Sequence, residues 1–134
     1  MAPETILNEY LETIGPSMCR VSKNPRGEIE VIYAPLTNEC KARYEIARGE
    51  IYARIGPFRD YCNEHHHDYS SILDNLHRSG PVISKSDRKR MRAEPNTLDN
   101  PITCFVISVK SASSIAVPNV PEGRKIVEFK RPER

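Results

Sequence analysis

Tryptophan is absent from this sequence, aromatic residues of any kind make up only 7%, and no apolar run is long. A helical membrane span needs roughly 18 to 20 consecutive apolar residues, so a helical membrane protein is excluded. The start, Met1-Ala2-Pro3-Glu4, has no basic region and no apolar stretch behind it, which argues against a secretory leader. Cys19, Cys40, Cys62 and Cys104 lie far apart without a CxxC pair, so zinc-ribbon and thioredoxin-like motifs are excluded too. Together these absences predict a cytoplasmic or otherwise intracellular protein, not a secreted one, with four buried free thiols. No period marks a collagen, coiled-coil or solenoid array. There is no GxSxG, HExxH, phosphate-binding glycine loop or dinucleotide fingerprint, so nothing fixes a reaction and no cofactor is expected.

What is present begins with size and charge. A chain of 134 residues suits one domain that buries about two-thirds of its unfolded surface without a staple. Met1 to His77 holds 12 acidic and 8 basic side chains, whereas Arg78 to Arg134 holds 6 acidic and 12 basic ones. The overall +2 conceals this division. One basic group is Lys85, Arg88, Lys89, Arg90 and Arg92, against Asp87 alone. A second, diluted by glutamates, includes Arg124, Lys125, Lys130 and Arg131. Such a patch attracts phosphates or acidic protein surfaces, because its field concentrates anions.

Eleven prolines divide the chain into short elements. Glu4 to Ile14 has helical apolar spacing, with Pro3 suited to the first turn and Gly15-Pro16 as a stop. Two β-prone runs, Met18 to Ser22 and Glu28 to Tyr33, flank Asn24-Pro25-Arg26-Gly27, a turn in which proline presets one dihedral and glycine accepts a positive one. Cys40 to Ile55 fits a helix capped by Thr37 or Asn38, or a hairpin turning at Arg48-Gly49. Unbroken alternation on both sides of Gly49 favours the hairpin, with charges along its other face. Residues 57 to 78 put Phe58, Tyr61, Cys62, Tyr69, Ile72, Leu73 and Leu76 in one sector and predict a single amphipathic helix. A short basic helix capped at Ser84 or Ser86 is expected next, followed by strands at 102–110, 114–117 and 124–130. The predicted fold is one α+β domain over 1–134: an antiparallel sheet from N-terminal hairpins and C-terminal strands, packed on the central helix, with a flexible end at 131–134.

Three functional readings follow. The first is a small non-enzymatic protein that contacts RNA or DNA phosphates through Lys85, Arg88, Lys89, Arg90, Arg92, Arg124, Lys125, Lys130 and Arg131. No RNP-like aromatic motif, zinc finger or helix-turn-helix accompanies these cations. The second is an adaptor or inhibitor docking on an acidic protein surface, with the texture of small viral or mobile-element accessory proteins; the acidic half of one copy could equally meet the basic half of another as a homodimer. The third is a metal-dependent hydrolase or nuclease near Cys62-Asn63-Glu64-His65-His66-His67-Asp68. On a continuous helix Cys62 and His66 would reach one ion, with His77 as a further ligand, and Cys62 could instead form a nucleophilic pair with His66. Burial of Cys62 in the core and solvation of the histidines is the simpler account, so no metal is expected.

Overall fold

The computed structural model describes residues 2–35, 39–91, 100–110 and 115–120. A first helix, α1 (Pro3–Ile14), buries Ile6, Leu7, Tyr10, Leu11 and Ile14 and passes through a 3-10 turn at Gly15–Ser17. The strands β1 (Met18–Lys23) and β2 (Ile29–Tyr33) form the hairpin expected from their sequence. Its turn is built by Asn24, whose side-chain oxygen accepts the N–H groups of Arg26 and Glu28, both at 2.9 Å, while Gly27 adopts φ 84°. A second hairpin follows, β3 (Ala42–Glu45) and β4 (Glu50–Arg54), with Gly49 at φ 66°. The alternation around this glycine thus decides between helix and hairpin as the sequence suggests.

Two helices, α2 (Ile55–Glu64) and α3 (Tyr69–Ser79), replace the single helix expected over 57–78. His66 sits at φ 60°, a left-handed conformation that a continuous right-handed helix cannot contain. The N–H groups of His65 and His67 still reach back to the Cys62 carbonyl, closing α2. Asp68, a residue type that favours helix starts, then occupies the cap position of α3 and accepts the Ser71 hydroxyl at 2.6 Å. The helical sector survives in both pieces, because Phe58, Cys62, Ile72, Leu73 and Leu76 are all buried.

The chain ends its described sheet with β5 (Val82–Lys89) and β6 (Ile102–Ser108). The segment read as a short basic helix is therefore an edge strand. Serine and aspartate compete with a helix for backbone hydrogen bonds, and pairing with β6 decides the matter. Residues 115–117 are not a strand, while 124–130 and 131–134 lie outside the described residues, as do Thr37 and Asn38.

The strands form one mixed sheet in the order β2-β1-β3-β4-β6-β5. Four of its five pairings are antiparallel; β1 and β3 run parallel, since the connection from β2 steps across to the far side of β1. The three described helices cover one face of this α+β domain. Met18, Ala42, Ala53 and Phe105 form one cross-strand row there, and Tyr44, Ile51, Ile107 and Val82 extend the next. The opposite face carries a separate cluster of Cys19, Val21, Val31, Tyr52, Cys104 and Val106, joined by Ala34, Cys40 and Met91, and none of the described helices packs there. Arg20 is buried on the helical side. Its Nη1 donates to the Pro118 carbonyl at 2.6 Å and its Nη2 to that of Asn119 at 3.4 Å. The Ala116 N–H donates to Asn8 Oδ1 and Ile115 joins the core, so residues 115–119 are fastened against α1 and β1.

Candidate nucleic-acid interface

On the face opposite the described helices the period-two alternation of the strands assembles a second set of rows. Cys19, Arg43, Tyr52, Val106 and Ser84 lie side by side across five strands, followed by Val21, Glu45, Glu50 and Ser108. Glu45 and Glu50 are directly opposed, an arrangement that like charges disfavour. Each carboxylate has a partner that relieves it: Glu45 forms a salt bridge with Arg43, and Glu50 Oε1 accepts the Tyr52 hydroxyl at 3.2 Å. Arg43 also donates to the Arg90 carbonyl at 3.4 Å, and its Nε has no partner among the described residues. Burial, reinforced by Glu50, pushes the Tyr52 phenol up to about 12.

Above these rows lies a cleft of about 390 Å³ lined by Lys23, Ile29, Arg43, Glu45, Arg48, Tyr52, Arg88, Lys89, Arg90 and Pro101. Six cations face one carboxylate, a balance of +5. Lys23 comes from the end of β1, Arg43 from β3, Arg48 from the β3–β4 turn, and Arg88, Lys89 and Arg90 from β5 and the residue after it. Lys89 Nζ lies over the Tyr52 ring, 4.9 Å from its centroid, and 3.9 Å from Asp87. Arg88 Nη2 donates to the Pro101 carbonyl at 3.0 Å, which fixes its guanidinium at the rim. No hydrogen bond or ion pair among the described residues engages the side chains of Lys23, Arg48 or Arg90.

Only part of the predicted basic site converges here. Arg88, Lys89 and Arg90 line the cleft, whereas Lys85 turns to α3 and pairs with Asp74 at 3.0 Å. Arg92, Arg124, Lys125, Lys130 and Arg131 lie outside the described residues. Lys23, Arg43 and Arg48 do not stand out in the sequence because they belong to its acidic half. The alternating charges of the β3–β4 hairpin are the signal that could have found Arg43. Lys23 and Arg48 depend on the parallel β1–β3 pairing, which no local pattern announces.

The residues proposed for the alternative centre around Cys62 are not brought together among the described residues. Cys62 is fully buried in the helical core, and burial followed by Asp68 pushes its thiol up to about 11, opposite to what a nucleophile requires. His66 lies beyond the end of α2 and has left the helical register that would align it with Cys62. His77 Nδ1 sits 2.9 Å from the Val82 carbonyl, which can only accept, so that nitrogen carries the proton. Among the described residues no group of three or more His, Cys, Asp and Glu side chains is placed to hold a metal ion.

No family model, curated protein or solved structure matches the chain. No described helix is long and apolar enough to cross a membrane.

Proposed function

We propose that the protein is a non-enzymatic binder of RNA or DNA that holds phosphates in the cleft on the face opposite the described helices. The observation that carries this reading is the convergence of six cations from separate elements on one concavity with a single carboxylate. Guanidinium groups match phosphate oxygens in a fork geometry and lysine adds a mobile point charge. Binding by charge neutralisation releases counterions, so affinity falls steeply as salt rises. Titrating labelled oligonucleotides of mixed sequence at low and physiological salt tests it. Tight binding at low salt, weakened by the combined replacement Arg48→Ala and Arg90→Ala, is the expected result; no binding at low salt would retire the proposal.

A second reading rests on Ile29, which is 54% exposed on the cleft rim and offers nothing to a phosphate. An acidic protein surface with an apolar anchor would use both Ile29 and the cations. Ile29→Ser separates the two: it leaves oligonucleotide affinity unchanged and weakens a protein partner.

A further inference from the structure

The cleft's floor narrows the class of nucleic acid it can take. Duplex DNA is a convex rod, and proteins read it with a helix or ribbon that projects into a groove. Here the basic residues surround a concavity of about 390 Å³, the lower part of the range for small-molecule pockets. A rigid duplex cannot enter such a space, whereas a nucleotide of a flexible strand can. The floor also holds an aromatic ring. Tyr52 stands on the central strand β4, beside Arg43 of β3 in register, and its hydroxyl is tied to Glu50, which fixes the plane of the ring. Lys89 occupies the ring face. Along the sheet, Arg43 of β3 lies on one side of the ring and Arg88 of β5 on the other, while Arg90 passes close enough for its carbonyl to accept from Arg43. Cations thus flank the ring as phosphates on either side of one stacked base would require.

Resting on the phosphate-binding reading of this cleft, we propose that its ligand is single-stranded nucleic acid and that one base stacks on Tyr52 in place of the Lys89 ammonium. Tyr52 is only 4% exposed, so the exchange has to come first. Lys89 is able to make it: its other contact is the 3.9 Å pair with Asp87, in which both side chains are solvent-accessible. A base on a tyrosine face is a stronger contact than an exposed ammonium there, and the displaced ammonium gains a phosphate. Stacking requires only a π-face, so the site tolerates any base.

The test compares three oligodeoxynucleotide probes of one length on the unaltered protein at fixed low salt: a single strand, the corresponding duplex, and a single strand of abasic sugar-phosphate. The intact single strand is expected to bind about tenfold or more tighter than the abasic one, the difference being the stack. It is also expected to bind tighter than the duplex, with both single strands showing similar salt slopes. Equal binding of intact and abasic strands, or a duplex as tight as the single strand, overturns the single-strand inference and leaves the phosphate site standing. Failure of all three to bind overturns the phosphate site itself. Tyr52→Phe, which keeps the ring, should retain the preference for bases, and Tyr52→Leu, checked for folding by its melting curve, should abolish it; an unaltered preference in Tyr52→Leu counts against the stack.

Discussion

The two faces of the sheet are made from alternate residues of the same strands, yet they are different materials. The helical face is closed by large rings: Phe58 meets Tyr10 at 5.0 Å, Phe105 at 5.1 Å and Tyr69 at 6.0 Å between centroids. The other face has small apolar side chains, Cys19, Val21, Cys104 and Val106, beside ionic pairs and a tyrosine. A change of one residue in strand register would exchange the two sets, so the pairing is strongly specified. The difference teaches that the aromatic residues, few as they are, are concentrated where the helices must be held. The charged residues of both halves of the chain meet on the face where no described helix lies.

The sharpest way to break this comparison is to empty the helical face. Phe58→Ala should cost about 3 to 5 kcal/mol, since it removes a fully buried ring at the junction of three others. Urea unfolding would measure it, and the variant, where still folded, should bind oligonucleotides as the native protein does. Alkaline pH probes burial on both faces at once. Burial pushes the thiols of Cys62, on the helical face, and Cys104, on the other, from 9.0 up to about 11. The unfolded chain therefore loses these protons first. The stability these two thiols contribute should be constant below pH 9 and be lost between about 9 and 11, followed as a fall in the urea midpoint over that interval. A midpoint that held steady across this interval would show the thiols to be solvated.

The cleft side should respond in the opposite manner. Arg48→Ala with Arg90→Ala should change stability by less than about 0.5 kcal/mol per site, while the salt dependence of binding flattens by about 0.7 for each phosphate that is no longer neutralised. The smallest effect is expected at Lys85, in the same sequence run as Arg88 but paired with Asp74 across about half-exposed side chains. Lys85→Ala should leave both stability and affinity within error, and a marked drop in affinity would move the interface toward α3.

Much of this architecture can be read from local pattern. Pro3 and Gly15 bracket α1, Asn24 and Gly27 define the first turn, and the alternation around Gly49 yields the second hairpin. Residues 57–78 mislead because the apolar sector continues in phase across the break at His66, and periodicity cannot see one left-handed residue. Ser84 to Lys89 mislead differently: the segment takes its form from β6, a partner beginning at Ile102. The cationic cleft is legible only in its β5 portion. Lys23, Arg43 and Arg48 enter it through strand order, and a count of charge along the chain assigns them to the wrong side of the molecule.

The Arg20 clasp has a consequence for synthesis. The carbonyls that receive the Arg20 guanidinium belong to residues 98 and 99 positions later in the chain. Until these arrive, the charged group can be satisfied only by water, so β1 cannot settle against the helical core as it does in the finished protein. The first hairpin can form on the emerging chain, since its turn is local, yet its final docking waits until Pro118 and Asn119 have been made. Translation thus leaves the Arg20 guanidinium open to water until Pro118 and Asn119 have been joined to the chain.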